Sequence, residues 1–342
     1  MPTTRIRDAL ATVMSGTDLD VDTARGVMDD VMEGLATDAQ IGALLAALRT
    51  KGESVSELTG FVESLRGHAT TVRLAVDAVD TCGTGGDGLD TFNISTAAAI
   101  VVAGAGCPVA KHGNRSFSSR CGSADVLEAL GVTISLPPDG VRQCVLEAGI
   151  GFMFAPLFHP ALKHAANARR ELGVRTVFNV LGPLANPARV RRQVLGVPDT
   201  ILAAKMAEVL HRLDHDHALV VTGADGMDEL GVDGEAVIHE VTASGVTRRT
   251  FDPRELGFRA APAGALRGDD AAANALRIRE VLGGDDGPAR DVVLLNAAAA
   301  LVVGGLAADF AEGLERARDS VDSGGASSTL ERLVRVSAGY AS

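Results

Sequence analysis

Tryptophan is missing from these 342 residues, tyrosine occurs once, and aromatic residues make up only 3% of the chain. Proteins that grip single-stranded nucleic acid stack bases on exposed aromatics, and this sequence has few to offer. Basic residues are outnumbered, 32 against 44 acidic ones, so a net charge of −12 disfavours bulk attraction to nucleic acid or to an anionic membrane. Cysteine is scarce too: Cys82, Cys107, Cys121 and Cys144 show no C-x-x-C spacing. A chain of this size does not need disulfides, and free thiols in a reducing cytoplasm are the expectation. No apolar h-region of the secretory type opens the sequence, so export is not expected. The alanine-rich stretch 292–303 is too short to span a bilayer and reads as a buried helix.

What is present is ample core material, 46% hydrophobic, enough for one large or two unequal domains. Through the first seventy residues apolar side chains recur at helical spacing: Ile6, Leu10, Val13; Ala24, Val27, Met28, Val31; Ile41, Leu44, Leu45, Leu48; Leu58, Phe61, Val62, Leu65. Thr37 with Gln40 and Ser54 with Glu57 have capping-box spacing and mark two helix starts, with Gly34 and Gly52 at plausible stops. From about Val76 short β runs alternate with helices, the pattern of an α/β sheet. The expected division is therefore a small all-helical domain over 1–72 and a large α/β domain with a mostly parallel sheet over 73–342. Further strands are expected at 151–155, 193–197 and 218–222, helices at 139–148, 160–172 and 200–213, and a β-hairpin over 236–251. The Gly-Gly-Asp-Asp-Gly-Pro run within 283–290 reads as a loop between helices.

Two runs carry chemistry. The first is Asp80-Thr81-Cys82-Gly83-Thr84-Gly85-Gly86-Asp87-Gly88, followed by Thr91-Phe92-Asn93-Ile94-Ser95-Thr96. It joins a strand to a helix through glycines and hydroxyls, a turn able to offer N–H groups to phosphate oxygens. Asp87 would repel a polyphosphate unless a divalent cation or a sugar hydroxyl lay between them, which points to phosphate, metal and ribose together. Gly83, Gly85 and Gly88 satisfy G-x-G-x-x-G, but the acidic residue of a dinucleotide site is missing, since the next carboxylate after Asp90 is Asp125. A P-loop fails as well, because no lysine follows until Lys111. The second run, Lys111-His112-Gly113-Asn114-Arg115-Ser116-Phe117-Ser118-Ser119-Arg120, falls at the end of the next expected strand. In an open parallel sheet both loops then face one crevice at the strands' carboxyl ends.

These two runs, with Gly122-Ser123-Ala124-Asp125-Val126-Leu127-Glu128 and Arg175-Thr176-Val177-Phe178-Asn179-Val180-Leu181-Gly182-Pro183-Leu184, resemble the anthranilate phosphoribosyltransferases in order and over nearly the whole length. Cys82 and Cys121 depart from the usual hydrophobic or serine residues, at positions with no contacting role in that family. The resemblance implies a nucleoside phosphorylase/phosphoribosyltransferase-like fold whose helical domain is completed by a segment near 165–190, and a homodimer formed through it. It also implies transfer of the phosphoribosyl group of 5-phosphoribosyl-1-pyrophosphate to anthranilate, with Mg2+, two ions per subunit, and no nucleic-acid or membrane partner. Carried over residue by residue, the sugar diphosphate would be bound by Gly83, Gly86, Asp87, Thr91, Asn93, Ile94, Ser95 and Thr96. Lys111, His112, Gly113, Asn114, Arg115, Ser116, Phe117, Ser118, Ser119 and Ser123 would close over it. Anthranilate would meet Gly83, Asn114 and Arg169, with His112, His159 and Pro183 along its path. Metal ligands would be Ser95, Asp228 and Glu229.

Each reading has a plainer rival. Ser95 and Thr96 suit a helix N-cap, Asp228-Glu229 a solvated loop, and Arg169 a surface ion pair in which Arg170 could serve equally. No Ser/His/Asp or Cys/His constellation is evident, and none is needed: displacing pyrophosphate calls for charge stabilisation and positioning more than for a base. His211-Arg212-Leu213-Asp214-His215-Asp216-His217 imitates a transition-metal site but reads more simply as a helix end entering a strand. A nucleoside phosphorylase of the same broad fold and a binding-only relative are the alternative functions. The Asp228-Glu229 pair and Arg169 argue against the first, the intact Lys111–Arg115 run and the acidic balance against the second.

Overall fold

The computed structural model describes residues 4–116, 120–262 and 264–340. Four helices lead: α1 (Thr4–Met14), α2 (Val21–Met32), α3 (Asp38–Lys51) and α4 (Val55–His68). Both expected capping boxes are formed, Thr37 with Gln40 at α3 and Ser54 with Glu57 at α4. Gly34 and Gly52 take left-handed φ of 72° and 85° where α2 and α3 stop, a conformation open to glycine.

The remainder alternates. β1 (Val79–Gly83), α5 (Ile94–Gly104), β2 (Val109–Gly113), α6 (Ser123–Ala129), α7 (Pro138–Ala148), β3 (Ile150–Phe154), α8 (Ala155–Phe158), α9 (Lys163–Leu172) and α10 (Phe178–Leu184) come first. β4 (Arg192–Gly196), α11 (Thr200–Arg212), β5 (His217–Thr222), β6 (Ala236–Thr242) and β7 (Gly245–Phe251) follow, then α12 (Ala271–Leu282), α13 (Pro288–Val303), α14 (Phe310–Asp322) and α15 (Gly325–Ala338). The strands form one sheet in the order β3-β2-β1-β4-β5-β6-β7, parallel from β3 to β5, with the β6–β7 hairpin antiparallel at one edge.

Two expectations need correction. The helix expected over 160–172 is α-helical only from Lys163: a 3-10 turn covers Pro160–Leu162 before α9, and a separate short helix, α8, precedes it and ends at Phe158. Pro160 has no N–H to continue the ladder, and His159 before it is non-helical (φ −123°, ψ 61°). The loop expected through 290 is also shorter, because Pro288 sits at the first position of α13, where its missing N–H costs nothing.

Alternation along β4 and β5 decides how the layers join. Val194, Leu219 and Val221 point into the core beneath α5, α13, α14 and α15, whereas Leu195, Val197, Ala218 and Val220 point into the core that holds α1–α4 and α11. The helical bundle therefore shares a continuous core with one face of the sheet. α9 packs on α2 and α3, and α10 on α4, which ties the 163–184 segment to the bundle. Glu57, fully buried, accepts hydrogen bonds from the N–H of Leu19 (3.1 Å) and Ser54 (2.8 Å) and from Lys51 Nζ (2.9 Å). Replacing Glu57 with alanine strands the N–H groups of Leu19 and Ser54, while Lys51 keeps Asp18 and the Gly52 carbonyl, and urea unfolding is expected to show a loss of about 2 kcal/mol.

Candidate active site at the carboxyl ends of the strands

β1 runs into a loop in which Gly85, Gly86 and Gly88 take φ of 64°, 87° and 74°, so the chain folds back toward α5. Asp228 lies beneath it. Gly85 N–H donates to Asp228 Oδ2 at 2.7 Å, and a Cβ at Gly83 would overlap that same oxygen. A Cβ at Gly196, at the end of β4, would collide with the Asp228 carbonyl. Both strand ends thus need glycine so that the segment after β5 can cross them. Asn296 on α13 braces this crossing from below, donating to Leu230 O (2.8 Å) and accepting from Leu230 N–H (3.1 Å).

Carboxylate oxygens of Asp87, Asp228 and Glu229 come within 4.8 Å of one another. Asp87 Oδ2 and Glu229 Oε2 are shut off from solvent with no hydrogen-bond partner. Burial, and then the neighbouring Asp87, push the Asp228 carboxyl up to about 6; burial and both other acids raise Glu229 well above its ordinary range. A crevice of about 10 Å3, the size of one water or ion, is lined by Ser95 together with Asp228 and Glu229. Asp87 is not among the lining residues, but its carboxylate oxygen lies within 4.8 Å of those of Asp228 and Glu229, and a set of such hard oxygens fits Mg2+ better than a softer metal.

Ser95 and Thr96 stand in the first turn of α5. Neither Asn93 nor any other side chain caps this helix: Asn93 accepts from Asn274 Nδ2 and donates to Cys121 O, each at 3.1 Å. Thr96 Oγ1 is buried without a partner. Ile94 is buried in the core, and Thr91 bridges to Arg267. Lys111 is 2% exposed and donates to Thr81 O and to Ser95 Oγ (3.4 Å). Burial lowers its pKa, opposed by the nearby Asp80. Asp80 is raised to about 6 by burial, and Asn186 Nδ2 holds it at 2.8 Å.

Beyond β2, Asn114 Oδ1 accepts from Arg115 N–H (2.7 Å) and Ser123 Oγ donates to Asn114 O (3.3 Å). Ser123 also sits where a Cβ at Gly113 would intrude. Asp125 organises the run: it accepts from the N–H of Gly122 (2.9 Å) and Ser116 (3.1 Å) and pairs with Arg115 (2.8 Å). Phe117, Ser118 and Ser119 lie outside the described residues. The rings of His112 and His159 stand 5.1 Å apart. Burial holds both neutral, His112 at about 3, with His159 as a further cause, and His159 at about 4. His112 Nδ1 donates to Gly182 O (3.2 Å), beside Pro183 at the end of α10. Arg169 lies over the Phe178 ring at 4.9 Å with no carboxylate partner among the described residues, while exposed Arg170 is bound to Asn167. Asn114 and Arg169 sit on separate elements, each with its own local partner. In the histidine-rich run, His217 pairs with Glu240 (2.8 Å) and His215 with Leu210 O (3.0 Å).

Two family profiles match. One, described as the glycosyl transferase family helical bundle domain, covers residues 7–69, and the other, the glycosyl transferase family a/b domain, covers 75–327. The anthranilate phosphoribosyltransferase of Thermomicrobium roseum is 58% identical over 333 residues, 96% of each chain, and that of Chloroflexus aggregans 55% identical over 338 residues, 98% of this chain and 99% of the relative. The chain belongs to the anthranilate phosphoribosyltransferase family. The family's crystal structure from Thermus thermophilus superposes with a TM-score of 0.91 at 43% identity, covering 97% of this chain and 99% of that one. The Saccharomyces cerevisiae family member, in complex with PRPP and Mg, gives 0.89 at 26% identity over 98% of each chain.

Reading the family's motifs along the sequence missed Arg175. It belongs to the quoted Arg175–Leu184 run, yet only the folded chain brings it over the glycine loop. Its Nη2 donates to Thr84 O (2.8 Å) and Gly85 O (3.0 Å), and a Cβ at Gly86 would come within 2.6 Å of its Cζ. No sequence spacing signals this contact across about ninety residues. Asn186, Asn274 and Asn296 were missed for the same reason.

A pH dependence follows from the carboxylates. Because folding raises their pKa values, the stability they permit is present below the ordinary carboxylate range and is lost as pH rises through about 6 for Asp228 and higher for Glu229. With metal chelated, the Tm of the wild type is expected to fall between about pH 5 and about pH 8 by more than that of Glu229→Gln. Parallel melting curves for the two proteins would contradict this account of the cluster.

Proposed function

We propose that this protein transfers the phosphoribosyl group of 5-phosphoribosyl-1-pyrophosphate to the amine of anthranilate, giving N-(5-phosphoribosyl)anthranilate and pyrophosphate on the route to tryptophan. The single observation that carries the reading is the meeting of the glycine loop with Asp87, Asp228 and Glu229 at the sheet's carboxyl edge, in a chain of this family. Bound Mg2+ supplies Lewis-acid neutralisation of the diphosphate. Ser95, Asp228 and Glu229 are its ligands in this proposal, with two ions per subunit, and the unpartnered Asp87 oxygen is available to join them.

The loop backbone at Gly83, Gly86 and Asp87 and the open first turn of α5, with Asn93, Ser95 and Thr96, receive the diphosphate. Thr91, Ile94 and the run from Lys111 to Ser119 with Ser123 complete its binding site. Lys111, beneath the loop, contributes positive potential while holding Ser95 and the end of β1 in place. Arg169, stacked on Phe178 and free of any carboxylate, binds the carboxylate of anthranilate, with Asn114 and the Gly83 backbone beside it. His112, His159 and Pro183 line the aromatic's path. Both rings being neutral, they present no charge to the uncharged amine that attacks the anomeric carbon. As the leaving diphosphate gains charge, the preorganised N–H groups stabilise it more than they stabilise the ground state.

Residues 1–72 act as the helical domain and 73–342 as the α/β domain, with the segment near 165–190 returning to the helices; α9 and α10 packed on the bundle support this division. The family resemblance further supports a homodimer in the cytoplasm, and the exposed apolar side chains Met14 and Leu35 on the helical part are candidates for its interface. No helix among the described residues is long and apolar enough to cross a membrane.

The deciding assay is loss of anthranilate fluorescence on adding phosphoribosyl pyrophosphate with and without Mg2+. Signal loss that depends on both is expected, and a flat trace under every divalent-ion condition would remove the function. Arg169→Ala should raise the anthranilate KM about tenfold or more and leave the sugar-substrate KM near its original value; an equal rise in both would take Arg169 out of the aromatic's site. Arg175→Ala should do the reverse, raising the sugar-substrate KM about tenfold by loosening the Thr84–Gly85 turn. Asp228→Asn combined with Glu229→Gln should shift the Mg2+ titration of the rate to higher concentration, and superimposable titrations would exclude the pair as ligands.

A further inference from the structure

A second cavity, of about 590 Å3, opens at the amino ends of β1, β4 and β5, the sheet edge opposite the carboxylates. Its walls are two linkers between the bundle and the sheet, residues 71–78 leading from α4 into β1 and residues 188–192 leading from α10 into β4. β1 has five residues, which separates the cavity from the carboxylates by about 16 Å along the strand.

The charge here runs against that of the molecule. In a chain of net charge −12, Arg73, Arg189, Arg191 and Arg192 line the cavity against only Asp77 and Asp216. Arg191 pairs with Asp216 at 2.7 Å. Arg189 and Arg192 donate to backbone carbonyls, of Arg66 (3.0 Å) and Val303 (2.7 Å), which holds each guanidinium in place without cancelling its charge. Arg73 is exposed, with no side-chain partner among the described residues. Behind the wall, burial and then the charge of Arg189 push the Arg66 guanidinium down to about 10. Arg189 also holds a left-handed φ of 51°, which costs a residue other than glycine free energy and persists only where the surroundings enforce it. Buried Val72 and Val190 give the cavity an apolar floor.

We propose that this cavity is a binding site for a phosphomonoester on a small apolar body, clamped between Arg73 of one linker and the arginines of the other. The volume suits a small ligand. A dianion with three terminal oxygens can accept from guanidinium groups on both linkers at once, which a single carboxylate does less well. The site lies apart from the carboxylate cluster and does not depend on the transferase reading.

The test is a calorimetric titration of phenyl phosphate into the full-length chain, compared with Arg73→Glu, with Arg191→Glu, and with Asp228→Asn/Glu229→Gln. Arg73 is exposed and unpartnered, so its replacement leaves folding intact, which circular dichroism checks. A tenfold or greater loss of affinity in both arginine variants, with wild-type affinity kept in the carboxylate variant, is the expected result. Equal binding by all four proteins, loss confined to the carboxylate variant, or no saturable binding by the wild type would each overturn the proposal. Repeating the titration with phosphoribosyl pyrophosphate and Mg2+ present separates the two sites: if that substrate fails to bind, the arginine dependence still reads the second site by itself.

Discussion

Everything at the sheet's carboxyl edge answers to the mutual repulsion of Asp87, Asp228 and Glu229. Three carboxylates within 4.8 Å, two of them with oxygens that water does not reach, form a costly arrangement that the chain does not adopt locally of its own accord. The fold imposes it. Glycines at 83 and 196 clear the path of the crossing segment, the Gly85 N–H holds one Asp228 oxygen, and Asn296 clamps the backbone just beyond Glu229. Stability is given up at one point, a local cost that a packed core does not carry.

The same logic explains the buried charge below. Lys111 reaches from β2 to the Thr81 carbonyl on β1, and Asp80 on β1 is held by Asn186, which also donates to Ala110 O on β2. These polar groups tie neighbouring strands at the level where the loops depart, so the glycine turn starts from a rigid base. Above it, Arg175 arrives from the segment that packs with the bundle and closes on Thr84 and Gly85. The loop is thereby connected to both layers, and any movement between them is felt at the glycine turn.

Much is legible in the linear order. Both capping boxes, the strands at 151–155, 193–197 and 218–222 to within a residue or so, and the hairpin over 236–251 follow from neighbours close along the chain. The short α8 and the 3-10 turn that opens the helix expected over 160–172 escape such a reading, because the change of hydrogen-bond ladder at Pro160 is set by backbone geometry and not by side-chain period. Candidate ligands are readable as residue types: Asp228 and Glu229 as adjacent acids after a strand, Lys111 as a lone lysine in an unusual run. Their surroundings are not. That Lys111 is submerged, that His112 and His159 share one apolar pocket, and that Asp87 joins the acid pair all depend on strands distant in sequence lying side by side.

The sequence by itself determined the element types, the parallel α/β class, the family and the chemical character of the loops, since each rests on local propensity, side-chain period or a contiguous motif. Only the tertiary structure decided which groups are desolvated, which carboxylates repel, and that Arg175 rather than a neighbouring basic residue covers the glycine turn. Burial and Coulomb energy depend on distance through space, and the order β3-β2-β1-β4-β5 sets those distances in a way no spacing along the chain records.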